Sequence, residues 1–125
     1  MKTYCAVSHG EERKLIAERI EVALRFFPRL RGLLGRKNLK DGEGLLLWPC
    51  SAVHCFGMRF PIDTIFLDSR FRVVSIRENL MPGSHAAYSL ANYVLELKSG
   101  EVMRHKIQYG EQLIISFGSH SNSAE

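Results

Sequence analysis

Apolar residues recur along this chain at two spacings, and in one place the two conflict. Between residues 12 and 27, Ile16, Ile20, Ala23 and Phe27 fall at helical intervals. Over the same ground Ile20, Val22 and Leu24 alternate with Glu21, Ala23 and Arg25, as in a half-buried strand. Periodicity alone leans towards a helix. The next segment, FPRLRGLLGRK, is clearer: Pro28 suits a first helical turn, Leu30, Leu33 and Leu34 make one stripe, and Gly35 is a stop. Gly32 inside it costs about 1 kcal/mol relative to Ala, which fits a close backbone neighbour. GEGLLLWP, Gly42 to Pro49, reads as a short strand. Ile62–Leu67 and Phe71–Ile76 are β-rich runs around a polar turn, hence a hairpin. The first run is apolar on nearly both faces, as a central strand is. Residues 79–92 lack a clean period and read as a surface loop with a strand fragment. Tyr93–Leu97 alternates again. SGEVMRHK predicts a short helix, with Ser99 as its cap and Arg104, His105 and Lys106 at its negative end. Glu111–Phe117 closes the pattern as a strand.

The order of these pieces is informative. RLRGLLGRKNLKDGEGLLL, PCSAVHCFGMRFPIDTIFLDSRFRVVSI, YVLELKSG and IQYGEQL follow one another in an arrangement that resembles the domain-of-unknown-function 192 family (uncharacterised protein family 0127), from about Ile20 to Leu113. The most specific pieces are Arg31-Gly32-Leu33-Leu34-Gly35-Arg36 and the set His54, Met58, Pro61, Ile62, Asp63. The resemblance implies a mainly β (α+β) fold: a compact, antiparallel, barrel-like sheet with one or two short helices. It implies no established activity. It also resolves the ambiguous stretch, because relatives place a strand there, so Arg13–Leu24 is expected to be mostly strand. Three positions depart from the family pattern. Arg70-Phe71 stands where the hairpin turn usually ends in Asp-Gly, and Phe tolerates φ > 0 poorly, so a different turn is expected. Lys106 replaces a glycine, so the helix is expected to end without a glycine cap. Cys55 stands where relatives more often have threonine.

Composition narrows the class. The 125 residues are 46% hydrophobic and 24% charged, the mix of one globular domain, here residues 1–117 followed by a polar tail, 118–125, expected to be disordered. Three cysteines argue against a disulfide framework. No apolar run approaches the ~20 residues of a membrane span. No signal peptide is legible although many relatives carry one, so the expected compartment is the reducing cytoplasm. The net charge is +4. Its excess gathers at Arg25, Arg29, Arg31, Arg36, Lys37 and Lys40, with no acid between Glu21 and Asp41. Such a face attracts anions, but no nucleic-acid-binding motif accompanies it, which disfavours nucleic acid.

The densest chemistry lies in PCSAVHCFGMRFPIDTIFLD, Pro49–Asp68. Cys50, His54, Cys55 and Met58 are soft-metal ligand types. On an extended segment, however, residues four apart lie roughly 13 Å apart, against metal bonds of about 2.0–2.3 Å. No metal or other cofactor is therefore assigned. Nucleophilic catalysis by Cys50 or Cys55 needs a base in reach, and His54 beside Cys55 on a strand points the other way. Asp63 sits in the apolar run on the face of Ile65 and Leu67 and, if buried, needs partners. Arg31, Arg36 and Arg59 are candidates, and so is backbone; the alternative is a polar pocket floor beside His54. Glu96 shares this ambiguity: period two allows it to face solvent, as most strand glutamates do. Trp48 is expected to lie in the core or on the rim of the sheet. No catalytic constellation emerges. The expected function is a non-enzymatic module binding a small ligand or a protein. The alternatives are an enzyme with a His54/Asp63/cysteine pocket, and anion or nucleic-acid binding through the Arg25–Lys40 face.

Overall fold

The computed structural model describes residues 4–8, 14–24, 39–54 and 59–117. The chain forms β1 (Tyr4–Ser8), β2 (Leu15–Leu24), β3 (Glu43–Trp48), β4 (Ala52–His54), β5 (Ile62–Leu67), β6 (Val73–Leu80), β7 (His85–Ala87), β8 (Tyr93–Lys98), α1 (Glu101–Arg104) and β9 (Leu113–Phe117). Seven strands make one sheet in the order β6-β5-β8-β3-β2-β1-β9, and β4 pairs with β7 as a separate ribbon. The fold is mainly β with one short helix, as expected.

All pairs are antiparallel except β2–β3, which run parallel from Arg19↔Glu43 to Leu24↔Trp48. The sheet curls until its edges touch at one end. Arg72 and Gln112 form an isolated bridge. Val73 N–H donates to Glu111 O (2.8 Å), Gly110 N–H to Val73 O (2.8 Å) and Leu113 N–H to Phe71 O (3.0 Å). No ladder joins β6 to β9 among the described residues, so the sheet is curled but is not a closed barrel.

Alternation along the strands sorts side chains into two cores. Ile16, Ile20, Leu46, Ile65, Leu67, Leu95, Leu97 and Leu113 fill the concave side, sealed at one end by Val102 and Ile107 around α1. Leu45, Leu47, Ile62, Phe66 and Val94 face the convex side, covered by Leu39, Cys50, Val53, Leu80 and Ala86. Central strand β5 is buried at all six positions because both faces are covered. Full burial stabilises each such large side chain by about 1.5–3 kcal/mol. Residues 52–54 form half of the ribbon lying on the convex face. β3 and β8 run so close at Gly44 that a Cβ there would come within 2.9 Å of Leu97 Cδ2.

Local backbone chemistry explains the departures noted above. The β5–β6 turn keeps a left-handed final residue, with Phe71 itself at φ 65°. The expectation of a different turn is corrected. Asp68 supports that residue: its Oδ1 accepts Arg70 N–H (2.8 Å) and Arg72 N–H (2.9 Å). The Phe71 ring packs on Tyr93 at 4.6 Å between centroids. Ring burial and the Asp68 bonds offset a left-handed cost of about 1–2 kcal/mol. Helix α1 ends in the same spirit. Ile107 N–H donates to Val102 O (2.9 Å) and Lys106 N–H to Met103 O (3.2 Å), a Schellman closure with Lys106 at φ 54° in the glycine position.

Candidate functional site: a buried carboxyl on the convex face

The structure sorts the polar groups of the fold by whether their bonds are met. Asp63 is fully buried and fully satisfied. Its Oδ1 accepts Asn79 N–H (2.8 Å), and its Oδ2 accepts Gly100 N–H (3.0 Å) and Val102 N–H (2.9 Å). It thereby caps α1 from across the sheet. The expected cap, Ser99, instead donates to Asn79 Oδ1 (2.8 Å), and the N-cap residue is Gly100 at φ 100°. Asp63 ties the β6 end and α1 to the sheet through backbone donors.

Beside α1 lies a cleft of about 160 Å³, lined by Glu18, Asp41, Gly42, Glu101, Arg104 and His105 among others. Several of its charged groups are paired. Asp41 meets Lys98 at 2.9 Å and Arg104 at 3.2 Å, and these cations, Lys98 foremost, hold its carboxyl below the usual carboxylate range. Buried Glu101 meets Arg104 at 3.2 Å and His105 at 3.4 Å.

Glu96 is different. Of the two placements open to it, Glu96 takes the buried one: it is 6% exposed, on the convex face of β8. Its neighbours across the sheet are Leu45 on β3 and Thr64 on β5. Alternation alone permits either face, and burial of this one is not legible in a local pattern. No described residue hydrogen-bonds or ion-pairs with Glu96, and burial pushes its carboxyl up to about 7. Thr64 is fully buried, and its hydroxyl also has no partner. As directly opposed residues, the two have Cβ atoms about 4.5–5.5 Å apart. Sequence reasoning passed over Thr64 because a strand threonine is ordinary; only the cover on this face makes it unusual.

The other sequence candidates do not gather here. His54 lies on β4 with its backbone opposite His85. Cys50 is buried, and its thiol donates to Ala52 O (3.0 Å). Cys55, Met58, Arg25, Arg29, Arg31, Arg36 and Lys37 lie outside the described residues. Lys40 is exposed, its N–H donating to Glu43 Oε1 (3.0 Å). Arg59 is exposed and is not among the Asp63 partners. Trp48 stands at the rim, 43% exposed and stacked on Tyr93. Among the described residues no three His, Cys, Asp or Glu side chains group as metal ligands, and no helix is long and apolar enough to cross a membrane.

A curled mixed sheet, a covering ribbon and a helix capped from β5 define a small α+β class. The chain belongs to the DUF192 family, described as "Uncharacterized ACR, COG1430", whose model matches residues 6–115. That is wider than the motifs alone delimit. A search of curated proteins gave no match. A solved structure from Sinorhizobium meliloti 1021, described as a candidate transcription regulator, is similar at 22% identity and TM-score 0.77, covering 90% of this chain and 92% of that one. A protein of unknown function from Novosphingobium aromaticivorans DSM 12444 is similar at 26% identity and TM-score 0.75, covering 90% and 84%. These likenesses speak to the fold.

Proposed function

We propose that the protein is a non-enzymatic binding module that holds a small ligand against the convex face of its sheet, at Glu96 and Thr64. One observation carries this reading: two adjacent buried polar side chains lack partners among the described residues, in a fold that satisfies the buried Asp63 three times over. A buried group without a partner costs about 1–3 kcal/mol, and a ligand supplies what the fold leaves out. Asp63 has both oxygens committed to backbone N–H groups, so binding is favoured over acid–base chemistry there. The fold places the pair on rigid central strands, which suits a preorganised site.

Native mass spectrometry on protein purified without chelator, kept reduced and undialysed, tests this. The expected result is an adduct of one small molecule that disappears in Glu96→Gln and Thr64→Val. An adduct retained by both variants, or a clean unliganded mass, refutes it.

A further inference from the structure

We infer that the rim of the curled sheet opposite α1 is a docking surface for single-stranded nucleic acid, with bases stacking on Trp48, Tyr93 and Phe71 and phosphates meeting Arg70 and Arg72. The strands set three rings in one row. β8 starts at Tyr93 and finishes next to α1, so Tyr93 marks the end of the sheet that α1 does not seal. Trp48, the last residue of β3, stacks on Tyr93 with 6.4 Å between centroids and 26° between planes. Phe71, in the β5–β6 turn, also packs on Tyr93, at 4.6 Å. Tyr93 and Phe71 are half-buried against the concave core, and Trp48 is 43% exposed. Phe71 holds φ 65°, a conformation that glycine adopts without strain. What phenylalanine adds there is its ring, and residues kept in such conformations gather where ligands are contacted.

Charge selects the occupant. Arg70 and Arg72, the chain neighbours of Phe71, are both exposed, and neither side chain forms an ion pair among the described residues. Asp68, the acid of the same turn, commits its Oδ1 to their two N–H groups. Exposed ring faces beside unpaired cations fit a polymer in which flat rings alternate with anions. A duplex keeps its base faces in its own stack. An acidic peptide would engage the arginines and leave the rings unused; a proline-rich peptide or a neutral saccharide would leave the arginines unused. The rim is made by long-range pairing, since residues 48, 71 and 93 meet only because β3 and β5 both flank β8. The sequence, which disfavours nucleic acid at the Arg25–Lys40 run, does not display it.

Trp48 is the sole tryptophan, so its fluorescence reports on the rim directly. The test is a titration of the full-length protein with a deoxythymidine decamer, followed by Trp48 fluorescence and by anisotropy of the end-labelled decamer. Saturable quenching is expected, with log K falling against log salt at a slope of about −1.4 between about 50 and about 200 mM, for two phosphates at about −0.7 each. An abasic decamer of equal length and a glutamate decapeptide are each expected to bind at least about tenfold more weakly. Trp48→Leu and Phe71→Gly should each weaken the decamer by about 5- to 150-fold, the range for one lost stacking contact. Glycine suits the φ of residue 71, so loss of fold does not explain the second variant. Arg70→Gln combined with Arg72→Gln should bring the salt slope close to zero. Absence of both quenching and anisotropy change overturns the inference. Equal binding of the abasic decamer overturns it as well, by showing attraction to a polyanion without stacking. Equal or tighter binding of the decapeptide makes the partner an acidic protein and overturns the nucleic-acid class. Decamer binding untouched by Trp48→Leu and Phe71→Gly puts the contact elsewhere and overturns the rim.

Discussion

Glu96→Gln is expected to make the unliganded protein more stable, and only on one side of a pH boundary. The carboxyl ordinarily ionises at 4.5, and burial raises it to about 7 in the folded chain. Below about 4.5 both folded and unfolded states hold the proton, and Glu96 costs nothing as a charge. Between these values the unfolded chain releases its proton while the folded chain retains it, so stability is lost steadily as pH rises. Above about 7 the folded state must bury the anion, and the loss is complete. A shift of this size corresponds to about 3 kcal/mol at 1.36 kcal/mol per unit. Glutamine keeps the shape without the charge, so it recovers roughly that amount at about pH 8 and almost nothing at about pH 4.5. For a chain of this length, about 3 kcal/mol is a rise in Tm on the order of 10 °C. The assay is thermal or urea unfolding of dialysed wild type and variant across that range. Taking the difference between the two proteins at each pH cancels every other titrating group. A pH-independent difference, or a wild type that gains on the variant as pH rises, would show that Glu96 has a partner, and the reasoning would fail.

The other perturbations probe what holds the same fold together. Asp63→Asn sets an amide NH2 against backbone N–H donors and should cost at least about 3 kcal/mol by urea unfolding, while a surface substitution costs under about 0.5; an unchanged midpoint would end the tether reading. Thr64→Val removes a buried hydroxyl with no partner at nearly constant volume and should raise stability by about 1 kcal/mol; a loss of that size instead would mean the hydroxyl is bonded. Lys106→Gly should gain about 0.5–1 kcal/mol by relieving its left-handed backbone at the end of α1, the reverse of the usual glycine effect, and destabilisation would refute the Schellman closure. Gly44→Ala should cost about 1–3 kcal/mol, since its methyl would meet Leu97 Cδ2 and Glu96 O; a neutral outcome would mean that β3 and β8 can part there.

Local sequence carried the strands whose pattern is self-contained. Ile62–Leu67 and its partner β6, Tyr93–Lys98 and Leu113–Phe117 lie where alternation and β-branched content place them. β2 needed the family resemblance, because Ile16, Ala17 and Ile20 all face one core around an irregular β1–β2 register, and that irregularity imitates a helical period. β1 escaped reading because five residues give too little pattern, and its pairing to both β2 and β9 is long-range. Asp63 could be singled out as a tether, but its partners could not: they are backbone groups 16, 37 and 39 residues away. Residues 79–92 read as loop because the β4–β7 ribbon depends on cover over the convex face. Glu96 is buried on the same face, which its own strand pattern does not show.

Three buried carboxylates among the described residues then show why Glu96 stands apart. Asp63 is met by backbone, which no side-chain substitution elsewhere removes, so its charge serves the architecture at every pH where it is ionised. Glu101 is met by Arg104 and His105 on its own turn, a local arrangement facing the cleft. Glu96 and its neighbour Thr64 are met by nothing among the described residues, and isosteric replacements are expected to stabilise both positions. A fold selected only for stability would hold glutamine or an aliphatic residue at 96 and valine at 64. Retaining a destabilising pair side by side on central strands is the pattern of a site in which stability is given up for binding. The two stabilising substitutions are therefore also the two that should abolish or weaken binding. A protein in which they raised Tm yet left the bound ligand in place would separate stability from function here and remove the reason for assigning the site.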